Sequence, residues 1–242
     1  MTKKKTLEKI FKLHKFYREG KIPTLAQHEV NPNLSKGSRE NYLYFTLPPS
    51  INFQRNSPAM WASALKTYTD PETNYLFSPE KVVKHSRNSI QKDLIKYRLA
   101  LQTNKHTDIW IKISETLAKY YSGDPREVLK EAKYNVIEIL ENLQNVKKSL
   151  FPYLGGKKLS NYWLFILNKF TDVKLKNIAM LSVIPDTHVL QSTVKLGLHN
   201  GAVTAEIADK LWRDLLVGTD LYPVDMHPVL WNWSRNNFQP EV

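Results

Sequence analysis

No cysteine occurs in this chain of 242 residues. That absence excludes disulfide bonds, cysteine-ligated zinc and iron–sulfur clusters together. Long apolar runs are missing as well: none reaches the roughly 18 residues that span a bilayer, so no membrane partner is expected. Met1-Thr-Lys-Lys-Lys leads into Ile10-Phe-Lys-Leu-His without the apolar core of a signal peptide, and the expectation is a cytoplasmic protein rather than a secreted one. Acidic residues are in deficit, 23 Asp+Glu against 35 Lys+Arg, giving a formal net charge of +12. Such a balance favours a polyanionic partner, nucleic acid ahead of an anionic membrane surface. A lysine-rich soluble surface with no such partner is the plainer alternative. Strand-like alternation, internal repeats and low-complexity tracts are also lacking.

What is present reads as a folded helical globule. The apolar fraction is 42% and there are six tryptophans. This length makes one large or two small domains with an ample core. Residues 4–18 bring Leu7, Ile10, Phe11 and Leu13 towards one helix face, and 20–37 reads as a loop. Residues 39–47 are apolar and aromatic, ending at Pro48-Pro49. Ser57-Pro58, Ser78-Pro79 and Asp124-Pro125 each place a capping side chain before a proline suited to the first helical position. The last of these opens one long predicted helix over 125–148. Further helices are predicted over 158–170, 174–181, 186–196, 204–216 and 225–235.

Two segments carry the chemistry. Leu150-Phe-Pro-Tyr-Leu-Gly-Gly-Lys157-Lys158 reads as a tight glycine turn that presents backbone N–H groups and two lysines beside a helix start. Amides and a helix dipole of that kind favour a phosphate. Ile184-Pro-Asp186-Thr-His188 puts a carboxylate at the mouth of another helix. Asp186 can simply cap that helix, or it can also offset positive charge developing on a sugar carbon. Lys157 is the candidate nucleophile. An amine attacks only when deprotonated, and Lys158, the helix start and partial burial would all push it that way. Lys158 is the alternative nucleophile, and both lysines can equally serve as phosphate contacts.

These segments resemble the helix-hairpin-helix DNA glycosylases, where a turn of the form Leu-Pro-Gly-Val-Gly-x-Lys precedes an aspartate that opens a later helix. Phe151-Pro152-Tyr153-Leu154-Gly155-Gly156-Lys157 departs from it at Tyr153, where the family has glycine, leaving the backbone less free beside the phosphate. Leu154 and Leu159 would plug the hairpin. Ile184-Pro-Asp-Thr-His is similar to the family's Val-Asp-Thr-His, and Leu196-Gly-Leu198 to the Leu-Gly-Leu that follows it. Asn52-Phe-Gln-Arg-Asn-Ser-Pro-Ala-Met-Trp61 and Val229-Leu-Trp231-Asn-Trp233-Ser-Arg235 resemble stretches of the archaeal GO glycosylases within that superfamily, over roughly residues 40–236.

The resemblance implies an all-helical, two-lobed fold with the active cleft between lobes. Residues 57–150 would form the middle lobe. Residues 151–242 would carry the hairpin, the aspartate and the C-terminal helices, with 1–56 packing back on them. It implies a monomeric, nucleoid-associated glycosylase with lyase activity, acting on duplex DNA that contains an oxidised purine such as 8-oxoguanine. The lesion would be flipped from the stack. Lys157 would attack C1′ and Asp186 would offset charge. Gly155, Gly156 and Lys158 would hold a phosphate. Trp61 and Trp231 would sandwich the base, Gln27 would read its edge, and His227 stands where that family has an acidic residue. No metal or organic cofactor is implied. Two other readings stay open: a non-catalytic helix-hairpin-helix DNA-binding module, and a hydrolase or salvage enzyme for modified purine nucleosides.

Overall fold

A computed structural model describes residues 3–24 and 29–242. The chain is all-helical. Its α-helices are α1 (Lys3–Arg18), α2 (Arg39–Tyr44), α3 (Leu47–Ser50), α4 (Ser57–Thr69), α5 (Pro79–Val82), α6 (Arg87–Lys96) and α7 (Thr103–Tyr120). There follow α8 (Pro125–Glu131), α9 (Val136–Glu141), α10 (Lys157–Phe170), α11 (Thr187–Lys195), α12 (Ala205–Leu216) and α13 (Pro223–Arg235). Among the described residues there is no strand, only an isolated parallel bridge between Asn135 and Lys176. No helix among them is long and apolar enough to cross a membrane.

Several predicted boundaries move, each for a local reason. The helix expected over 125–148 is broken. Asp124 caps α8 as anticipated, accepting from the Arg126 N–H, but Lys133 and Tyr134 turn left-handed (φ 49° and 60°). Asn135 then restarts the chain by accepting from the Ile137 N–H, and α9 runs on into a π-helical turn over Asn142–Val146. The helix expected over 174–181 does not form. Lys176 exchanges backbone hydrogen bonds with Tyr134 and Val136, which holds it extended, and Asn177 is left-handed (φ 57°). Only a 3-10 turn, Ile178–Met180, remains there. At α4 the cap is Asn56 rather than Ser57, with its side chain on the Ala59 N–H.

The chain forms two compact units, Met1–Ala26 with Ile178–Val242, and Gln27–Asn177. The expected boundaries at 56/57 and 150/151 are therefore displaced: 27–56 and 151–177 both belong with the middle of the chain. The reason is α10. Its Trp163 Nε1 donates to Thr46 Oγ1 (3.0 Å), Phe170 stacks on Phe45 (4.9 Å), and Asn41 Nδ2 donates to the Phe170 carbonyl (3.0 Å). The core of this unit is aromatic: Tyr44 meets the rings of Phe45, Trp61 and Phe77, Phe45 meets Trp61, and Phe77 meets Trp110. Each buried indole N–H finds an acceptor, as a buried tryptophan requires.

The other unit packs α1, α11, α12 and α13 around Ile10, Leu13, Val189, Ala208, Trp212, Val229 and Leu230. The N-terminal helix α1 lies against α12 and α13. Small polar residues on α11 bond to both neighbouring helices: Ser192 Oγ donates to the Leu230 carbonyl of α13 (2.9 Å), and Thr193 Oγ1 accepts from Trp212 Nε1 of α12 (3.0 Å). Full burial of each large aliphatic side chain here contributes about 1.5–3 kcal/mol.

Candidate functional site

The glycine turn joins the π-helical turn to α10, and its geometry explains its residues. Phe151 is buried, as are Leu154 and Leu159, the two leucines expected to plug the hairpin. A Cβ on Gly155 would lie 2.3 Å from the Leu143 carbonyl oxygen, so only glycine allows this close approach of two backbones. Gln144 Nε2 donates to Ser160 Oγ (2.8 Å), tying the first limb of the hairpin to α10. Tyr153 adopts φ +61°, so the backbone takes the left-handed form for which glycine would be the undemanding choice. Tyr153 holds this form at a strain of about 1–2 kcal/mol.

The phosphate-seating role expected of Gly155 and Gly156 needs correction. Their amides point back into the turn, Gly155 N–H to the Phe151 carbonyl and Gly156 N–H to the Tyr153 carbonyl (2.8 Å each). The glycines are spacers that aim α10. Gly156 is its N-cap and supplies no side-chain acceptor to the first turn. The amides of that turn, at 157–159, together with the exposed Lys157 and Lys158, form the anion-favouring feature. The partial burial expected for Lys157 is not found; the residue is exposed.

Asp186 lies in the other unit. It caps α11, with Oδ1 accepting from the Val189 N–H (2.9 Å), so the capping reading holds. A carboxylate has further acceptor capacity beyond one such bond. Two residues earlier the backbone is strained. Buried Ile184 has φ +55°, a conformation that a β-branched residue rarely takes, and its carbonyl accepts from the Asp186 N–H (2.8 Å). Ser182 Oγ accepts from the Ile184 N–H (3.1 Å) and helps hold this bend. Strain of this kind clusters at functional sites.

Near Asp186 on the same unit, His188 Nδ1 hydrogen-bonds with Ser234 Oγ (3.1 Å), and its ring meets Trp231 edge-on at 5.5 Å. The Arg235 guanidinium lies 4.8 Å from the Trp231 ring centroid. Trp231 is 8% exposed, and His227, one turn earlier on α13, is buried. Trp61 has a different environment from the one anticipated. It is 0% exposed, donates its N–H to Tyr162 Oη (3.0 Å), and is flanked by Tyr44 and Phe45. The reason is the density of aromatic residues around α4: Trp61 fills the core of its unit and offers no free face to a base. Gln27 lies outside the described residues. Lys157, Lys158, Gly155, Gly156 and Trp61 thus share one unit, while Asp186, Trp231 and His227 share the other.

Sequence reasoning passed over Phe53, Lys105 and His106. Phe53 stacks on Tyr153 at 4.2 Å, Lys105 Nζ flanks both rings, and His106 meets Phe53 edge-on. Nothing in the spacing of these residues announces that they meet, because they come from separate segments. No protein-family model matches this chain, and no curated protein matches it.

Proposed function

We propose that the protein is a DNA glycosylase with an associated lyase step, acting as a monomer on an oxidised purine, 8-oxoguanine, in duplex DNA of the nucleoid. The observation that carries the reading is the hairpin: a backbone approach that only Gly155 permits, opening a helix with no side-chain cap and with Lys157 and Lys158 exposed on its first turn. These features support a phosphate seat beside amines. In this reading Lys157 Nζ attacks C1′ of the flipped nucleotide and the base leaves with the electrons of the glycosidic bond. A proton then passes from the bound nitrogen to O4′ as the C1′–O4′ bond breaks, which opens the sugar and gives a protonated Schiff base, and loss of a C2′ proton expels the 3′ phosphate by β-elimination. The carboxylate of Asp186 offsets the positive charge on the sugar. Support for Asp186 comes from the strained backbone at Ile184, two residues before it, and the net charge of +12 supports a DNA partner.

A second reading, a DNA-binding module without chemistry, is favoured by one observation, the exposure of Lys157. Borohydride trapping on duplex carrying 8-oxoguanine separates the two. The glycosylase reading expects a covalent adduct with the wild type and with Lys158→Gln, none with Lys157→Gln, and duplex binding retained in all three. Steeply salt-dependent binding without any adduct would leave the module reading. Absence of both adduct and binding would refute both readings.

A further inference from the structure

We infer that the paired rings of Tyr153 and Phe53, with the Lys105 ammonium beside them, form a stacking platform for an unpaired nucleobase of the DNA strand whose phosphate lies at the start of α10. The rings are 4.2 Å apart and inclined by 16°, and Lys105 Nζ lies 4.6 Å from the Tyr153 centroid and 5.1 Å from that of Phe53. Tyr153 is 40% exposed. It sits in the hairpin itself, its carbonyl accepting from the Gly156 N–H one residue before α10, so an occupant of the platform is next to the first turn of that helix.

Three features at this one place each lower stability, and their coincidence points to a ligand rather than to packing. Tyr153 holds a left-handed backbone (φ +61°), and so does Gln54 beside Phe53 (φ +51°). A large aromatic ring stays exposed when a glycine would relax the turn. Beneath Phe53, His106 accepts the Leu101 N–H on Nδ1, so the neutral ring carries its proton on Nε2, and that buried N–H has no acceptor. Sequences break local rules in this concentrated way mainly where function demands it. An exposed aromatic residue with a cation close to its ring fits a base attached to phosphates: every base has a π-face, and the ammonium attracts the backbone. A lone nucleobase would find the rings but not the charges, so the occupant is a strand rather than a free base.

The platform rests on the reading that the hairpin holds a DNA phosphate, and the test separates the two. The probe is a duplex with 2-aminopurine in a single-nucleotide bulge, whose fluorescence is quenched on stacking. Wild type and Tyr153→Phe are expected to quench it and bind alike. Tyr153→Gly and Tyr153→Asn, both at ease at positive φ, are expected to lose the quench and bind about five- to a hundredfold more weakly, from the loss of one stacked base. Their melting temperature should hold or rise, since the strain is released. Affinity for a fully paired duplex, dominated by phosphate contacts, should change little. Unchanged quenching and affinity in both ring-less variants would overturn the platform alone. A wild type that binds neither duplex would overturn the platform together with the hairpin reading.

Discussion

Lowering the pH from 7 to 5 is expected to weaken the unit 27–177 through His106. This side chain is 1% exposed, with Nδ1 accepting the Leu101 N–H. Burial first, then the charges of Arg55 and Lys105, hold its pKa down from 6.5 to about 4. In the unfolded chain it returns to its ordinary value. Between those two values the unfolded chain binds a proton that the folded chain refuses, so stability falls as the pH drops through 6.5 towards 4. The full gap corresponds to about 3 kcal/mol, of which about 2 kcal/mol is lost by pH 5. His14, held down mainly by burial, acts in the same direction in the other unit. Asp70, Glu80, Asp124 and Glu131 are all held below their usual values, so their contributions are lost only at lower pH. The variant His106→Asn keeps an acceptor for the Leu101 N–H and cannot titrate. Urea unfolding of both proteins at pH 7 and pH 5 isolates the residue. The wild type should lose about 2 kcal/mol more than the variant over this interval. Equal losses would refute the reasoning, whatever the absolute stability of the variant.

Gly155→Ala is expected to destabilise the hairpin unit by about 1–3 kcal/mol, because its Cβ would press on the Leu143 carbonyl. Gly156→Ala, whose Cβ would stand 3.0 Å from the Tyr153 carbonyl, should be milder. The reverse order in thermal melts would contradict the close approach. Asp186→Ala should cost α11 about 1 kcal/mol while Asp186→Asn should be nearly neutral, since asparagine caps almost as well. On the glycosylase reading, both should slow base excision by orders of magnitude in a single-turnover assay, the asparagine variant without any stability loss to explain it.

The helical class, and most helix starts, were legible because they depend on neighbours in the chain. Asp124 beside Pro125 and Asp186 before Thr187 cap as their local chemistry dictates, and Gly155 and Gly156 mark a turn for the same reason. The break after α8 was hidden, because Lys133 and Tyr134 carry no breaker signal and turn left-handed to let Asn135 and Val136 meet Lys176. Trp61 shows the same limit from the other side. Its type suits a base pocket and a core equally, and only the neighbours Tyr44, Phe45 and Tyr162, distant in sequence, decide for the core. The strain at Tyr153 and Ile184, the aromatic pair of Tyr153 and Phe53, and the assignment of Lys157 and Asp186 to different units are likewise tertiary facts. Capping, turn chemistry and periodicity act over three or four residues and are written in the sequence. Burial and strain arise from which distant segments share a core, and the order of the residues does not state that until the chain has folded.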